Sequence, residues 1–439
     1  MLALAFGCAA DPVEPFQSTL SVESALDAET GTALTVTWST DTPADAAIEL
    51  GADDNYGERV TGWSSEDGLS HAVVLAGLSP RRDWHWRATS TAGSQVAVST
   101  DATFTPGAAP AELPELSVTG ATDHLVVTPV IGARSYAVVY DGDGLPVWWR
   151  QLATSFGTFT QVRLSLDGTD VLVMAQVPTV NPDMAIYRYP IAGGDPVVTT
   201  TFGAHHDFHE LDGGGYIVLV HDTREVEGIA VEGDALAEFA EDGTRRDLWS
   251  VWDGRVPDDV EALPEMEAGP RDWTHMNSFA VEGGRYWLSS YQLESLMIVD
   301  AESGAVVAEL GGDNADVALV GVGGFGPQHA PVPTETGFLL FNNRPIDDPE
   351  PYSEATEYTL DLATHEYSRL WSYDADRLIP TPLLGNVEPA PGGGHLVGWG
   401  SSGILTLLDA DHAPVWEAQT PLGSGFGYAH VVEGLSGVP

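Results

Sequence analysis

The chain has 439 residues and a formal net charge of −48, from 65 acidic residues against 17 basic ones, all of them arginine, and 43% of it is hydrophobic. Length and apolar content exclude a disordered chain and leave room for more than one domain, while so acidic a surface excludes a duplex nucleic-acid partner. An anionic ligand approaches such a protein against repulsion, so its site has to supply local donors.

The N-terminal stretch "MLALAFGCAADPVEP" holds the only cysteine, Cys8, which excludes an intrachain disulfide. Its apolar run is too brief to span a membrane. Small and apolar residues just before a cysteine are similar to a bacterial lipoprotein cleavage site, with the bulky Phe6 as a departure from it. Residues 1–16 are therefore expected to be a signal remnant and linker, and the protein an exported, periplasmic or cell-surface lipoprotein anchored at Cys8, without a transmembrane span.

Residues 17–106 contain "LTVTWSTDT", "AAIELG", "HAVVLAGLSP", "DWHWRATS" and "ATFTP", short alternating runs separated by turn residues. The pattern predicts a small β-sandwich and resembles a fibronectin type III module. The Pro- and Ala-rich "GAAPAELPEL", residues 107–116, has no periodicity and reads as the linker to a second domain, 117–439.

In that second domain a strand, a polar turn and another strand recur six times, from "YAVVYDGDGLPVWWRQ" to "LTLLDADHAPVWEAQ". A second series alternates with it: Gln161, His206, His275, His329 and Asn386 each precede, by about ten positions, a glycine and an apolar strand, and His430 closes the series. Interleaved, the two predict an all-β fold, a six-bladed β-propeller behind the sandwich, with the C-terminal strand completing the first blade. Equivalent positions in successive blades lie at equivalent depth, so Gln161, His206, His275, His329 and Asn386 are expected at one mouth of the central channel.

The surrounding sequences "AHHDFHELDGGG", "RDWTHMNSF", "PQHAPVP" and "LLGNVEPAPGGGHLVGWGSSG" resemble the bacterial arylsulfotransferase family, exported enzymes with a six-bladed propeller and a small N-terminal β-sandwich. The resemblance covers roughly residues 115–439. It implies transfer of a sulfuryl group from an aryl sulfate to a phenol by a ping-pong route, with no nucleotide sulfate and no cofactor. By the same resemblance His329 is the nucleophile, sulfurylated in passing, while His275, Asn277 and His206 are catalytic donors around the moving group. Each preorganised donor of that kind is worth roughly 3 kcal/mol, and a neutral imidazole is nucleophilic near neutral pH.

Two departures stand out. Where the family reads "SSRH" this chain reads "SSYQ", so Tyr291 replaces an arginine, and the residue after the nucleophile is Ala330 rather than Asp. One neutral hydroxyl cannot equal a bidentate, permanently charged guanidinium. Compensation is open to Arg344, Arg224 or Arg271. Tyr291, His205, Trp399 and Arg344 are the expected substrate contacts, with Trp273 and Trp287 either aromatic wall or blade core. The alternative reading is a propeller that has lost catalysis and binds a ligand or a surface partner. A metal site at His205, His206, Asp207 and His209 is disfavoured, because only alternate residues of a strand share a face. The Asp-rich turns and "GGG" runs read as hairpin turns rather than calcium or phosphate loops.

Overall fold

A computed structural model describes residues 16–439 apart from 18, 133, 152–160, 177–183, 267–268, 345–351, 378 and 438–439. The N-terminal segment with Cys8 lies outside them. The described residues form an all-β protein, and no helix is long and apolar enough to cross a membrane.

Two antiparallel sheets between Val22 and Phe104 make the sandwich. One contains Leu34–Ser39 beside Ser70–Leu75 and the other Ala47–Gly51 beside Trp84–Ala92. Alternation puts Val36, Trp38, Ile48, Leu50, Val73, Leu75 and Trp86 between the sheets, all buried.

Six further sheets follow as the blades of the propeller. Blade 2 runs from Val162 to Thr201, blade 3 from Ala204 to Ser250, blade 4 from Met276 to Gly311, blade 5 from Gln328 to Tyr373 and blade 6 from Asn386 to Gln419. Blade 1 is composite: Leu125–Ile131, Tyr136–Tyr140 and Pro146–Gln151 are completed from the far end of the chain by His430–Val432, antiparallel to the first of them. Ser117–Gly120 adds to the outer strand of blade 6, so the ring is fastened twice, once at its inner edge and once at its outer.

Among the described residues, the inner strands of neighbouring blades are not laddered to one another, and side chains bridge them instead. Asp207 of blade 3 accepts the Phe279 N–H of blade 4, and Ser278 of blade 4 accepts the Ala330 N–H of blade 5. Asn386 of blade 6 clamps both backbone groups of Ala429, at 2.8 and 3.0 Å. These bonds satisfy backbone groups that the channel would otherwise leave unpaired.

The sandwich sits against blades 1 and 2. A shared core joins its Ala33, Val74 and Ala76 to Val127, Val139, Trp148 and Leu435, each large side chain contributing about 2–3 kcal/mol by burial. Within the contact, Arg150 of blade 1 meets Asp27 of the sandwich at 3.2 Å, both side chains 1% exposed. The tail returns as well, Gly437 pairing with Val74 and Ser436 with Ala76.

Candidate functional site

Three of the predicted histidines converge, and backbone irregularities put them there. The inner strands of blades 3, 4 and 5 each carry a register shift, between Ala204 and Phe208, Met276 and Ser278, and His329 and Val332. At or beside these bulges His206, His275 and Ala330 adopt φ values of 55°, 43° and 53°, a left-handed conformation unfavourable for residues with a Cβ and found mostly where the surroundings enforce it. A bulge re-aims a side chain out of the alternation. Here it turns them toward one another: the rings of His206 and His275 are 5.3 Å apart, those of His275 and Tyr291 5.6 Å, and those of Tyr291 and His329 6.1 Å.

His329 is held from three sides. Its neighbour Gln328 donates to Ser289, Ser290 and Ser295 of blade 4, and the Gln328 carbonyl accepts from Asn277 at 2.6 Å. Its Nδ1 lies 2.6 Å from the Asn343 side-chain oxygen, and the Asn343 amide nitrogen donates to the carbonyls of Thr381 and Leu384, both at 2.8 Å. Those two carbonyls fix the orientation of the amide, so Nδ1 carries the proton of the neutral ring and Nε2 keeps its lone pair. Burial lowers the pKa of His329 to about 4, the bond to Asn343 opposing and His275 adding to the shift.

His275 is electrostatically the opposite. Its Nδ1 is 2.7 Å from the Asp272 carboxylate, and that bond raises its pKa above the ordinary histidine value against the effect of burial. Asp234 positions it, accepting the Thr274 hydroxyl and the Met276 N–H on either side of it, each at 2.6 Å. Burial by itself would raise the Asp234 carboxyl, yet the nearby His205 and the bonds from Met276 and Thr274 hold it below the usual carboxylate range. His206 is pushed well down, by burial and then by His205 and His275. The cluster thus pairs neutral imidazoles with one that favours its charged form.

Other expected positions are placed differently. Asn277 is fully buried and its amide holds the Gln328 carbonyl, so it positions the His329 strand. His205 does not face a ligand space: it lies behind His206, Nδ1 to Nδ1 at 2.8 Å, with Nε2 toward Asp234, because its immediate neighbour has taken the bulge. Trp399 is a correction too. It is wholly buried between Phe341 and Tyr373 with its N–H on Thr406, a core residue of blades 5 and 6. Trp287 and Trp273 are core as well, the latter packed on Trp252.

Gln161 and Asn386 do not join the histidines either. They line a cavity of about 240 Å³ on the propeller axis, to which all six blades contribute and where Gln161 faces His430 at 3.5 Å. Equivalent depth fails here because the bulges displace only the inner strands of blades 3 to 5. Asp207 and His209 line this axial cavity too, which separates them from His205 and His206.

Of the three candidate arginines, Arg224 is paired with Asp222, and Arg271 with Glu265 and two backbone carbonyls. Arg344 shares a cavity of about 580 Å³ with Tyr291, Asn343, Pro327, Tyr352 and Pro380, and among the described residues it lies 4.0 Å from the Glu294 carboxylate. The cavity therefore joins an apolar, ring-sized lining to the Asn343 that holds the nucleophile candidate. Asp234, Asp272, Asn343 and Gln328 were not singled out from the sequence; the "RDWTH" and "FNN" contexts of Asp272 and Asn343 were the available signals, whereas Asp234 lies in an ordinary alternating strand.

A family model described as Arylsulfotransferase (ASST) matches residues 123–417. No curated protein matches the sequence significantly. Among solved structures, a chain of the nidogen/laminin complex is 10% identical with a TM-score of 0.41, covering 71% of this chain and 98% of its own. Streptogramin B lyase is 12% identical with a TM-score of 0.35, covering 72% and 98%, and a protein of unknown function from Bacteroides caccae is 12% identical with a TM-score of 0.33, covering 90% and 100%.

Proposed function

The chain belongs to the arylsulfotransferase family, and from that premise we propose that it moves a sulfuryl group from an aryl sulfate to a phenol through a sulfurylated His329. The observation that carries the reading is the contact of His329 Nδ1 with Asn343, which leaves Nε2 as an unprotonated nucleophile in a buried site.

In the first half-reaction Nε2 attacks sulfur, the bond from sulfur to the aryl oxygen breaks, and the departing phenolate takes a proton from the His275 imidazolium. The N–H of His329 that faces Asn343 stays in place, so the amide oxygen supports the positive charge the ring acquires. In the second half an acceptor phenol gives its proton back to His275 and its oxygen attacks sulfur, releasing Nε2. His206 and Tyr291 border the space where the three sulfuryl oxygens gather charge.

The cavity beside Tyr291 takes the aryl ring, with Tyr352 and three prolines as its apolar wall and Arg344 at the rim. Export and lipidation at Cys8 complete the proposal. The test is release of phenol from a chromogenic aryl sulfate with a phenolic acceptor present, for the wild type beside His329→Ala. A burst of phenol and one SO3 gained on the His329 peptide are expected in the wild type and neither in the variant. A folded wild type with no turnover over a panel of donors would instead favour ligand binding without transfer, the reading that Tyr291 in place of an arginine supports.

A further inference from the structure

Blade 3 carries a second polar cluster, on the side of His206 away from the sulfuryl space. Three adjacent strands contribute to it. His221 of Tyr216–Val226 and Asp234 of Ile229–Phe239 are direct cross-strand partners, and His205 of Ala204–Glu210 lies on the other flank of His221. The rings of His205 and His221 stack with centroids 4.1 Å apart and planes at 18°. His221 Nδ1 is 3.9 Å from Asp234 Oδ1 and 3.2 Å from Glu232 Oε1.

His205 Nε2 decides the reading. The residue is 8% exposed, and Nε2 lies 3.1 Å from Asp234 Oδ1 yet makes no hydrogen bond, because the ring is turned away from the line between them. A buried imidazole nitrogen left in this way is costly. The same separation suits two ligands of one ion: bonds of about 2.1 Å meeting at angles between a right angle and the tetrahedral one hold their donor atoms about 3.0 to 3.4 Å apart.

We propose that His205, His221 and Asp234 form a binding site for a divalent transition metal of the Zn2+ class, with Glu232 at its edge. One nitrogen from each imidazole and one carboxylate oxygen, all within 4.8 Å of one another, is a donor set for zinc or cobalt rather than calcium or magnesium. Stacked rings do not converge on an ion unaided, so His221 must turn; its side chain is 38% exposed and has the room. The supporting contacts are in place. Asp234 Oδ2 is held by Thr274 and Met276, and His205 Nδ1 abuts His206 Nδ1. A metal on His205 Nε2 keeps the His205 proton on Nδ1, which then donates to His206 Nδ1 and leaves the His206 proton on Nε2. The ion would thereby set the tautomer of a residue in the sulfuryl site, although its binding is independent of the transfer reaction.

The full chain, stripped with a chelator, is titrated with Zn2+ alone and with Co2+ alone. One equivalent of each is expected to bind, with visible Co2+ bands of four- or five-coordinate nitrogen and oxygen ligation and a Zn2+-dependent rise in melting temperature. His221→Ala, chosen because His221 is half-exposed while Asp234 anchors His275, should weaken Zn2+ binding at least about tenfold and abolish the rise. His412→Ala, in the stacked His395–His412 pair elsewhere, should change neither. Absence of stoichiometric binding, or equal affinity in folded His221→Ala, overturns the proposal.

Discussion

The side-chain oxygen of Asn343 faces Nδ1 of His329 at 2.6 Å and so selects the tautomer in which Nε2 is free to attack. Asn343→Ala removes that selection without touching the nucleophile. The expected result is a fall of about 100-fold in the phenol burst rate, smaller than the roughly 10,000-fold lost when a charged group that orients a catalytic histidine is removed, because the amide is neutral. Asn343→Asp, which keeps an acceptor, should retain more activity than the alanine variant. Rapid-mixing measurement of the burst with each variant checks the ordering.

The two imidazoles predict a bell-shaped profile. His329 must be neutral, and its pKa of about 4 places the acid limb there. His275 must be protonated, and Asp272 raises its pKa, so the alkaline limb falls above the ordinary value near 6.5. The pH dependence of kcat/KM for an aryl sulfate measures both limbs, and Asp272→Asn should move the alkaline limb down.

The same groups act on stability with opposite signs. An unfolded chain protonates the His329 ring near pH 6.5, while the folded protein resists down to about 4. Between these values the unfolded state binds more protons, so this residue makes stability fall as pH falls. His275, raised in the folded state, adds stability that is present below about 6.5 and lost as pH rises through its folded pKa. Urea unfolding of the wild type and His329→Gln at pH 7 and 4.5 isolates the first effect, the variant showing the smaller loss.

Tyr291 stands between His275 and His329, where the family resemblance places an arginine. Tyr291→Arg should raise kcat/KM for aryl sulfates about tenfold or more by adding a bidentate cationic donor. Arg344→Ala should lower it in the wild type and matter less in the Tyr291→Arg background. A double-mutant cycle on kcat/KM reads that coupling.

Arg150 and Asp27 join the sandwich to blade 1 with both side chains 1% exposed. Arg150→Met leaves the Asp27 carboxylate buried without its partner, a loss of about 3–5 kcal/mol. Adding Asp27→Asn should recover part of it. Thermal unfolding of the three variants tests this.

The repeat of hairpins made six blades legible in the sequence, because each outer hairpin, from 136–151 to 404–419, needs its own turn and its own alternating pattern. The motif around His329, His275 and His206 was legible as well, through its resemblance to a family. Trp399 shows the limit: its neighbourhood to the histidine motifs suggested a ligand wall, but neighbourhood along the chain says nothing of which face a side chain takes, and it is core. Tertiary structure alone decided which residues serve the histidines. Asp234, Asp272 and Asn343 lie 41, 3 and 14 positions from the histidines they orient, and bulges with left-handed residues at 206, 275 and 330 re-aim side chains that period-two alternation would have turned elsewhere. Alternation and turn chemistry are local and can be read in sequence. Bulge placement, hydrogen-bond partners across blades and the burial that sets each pKa arise only when the strands pack.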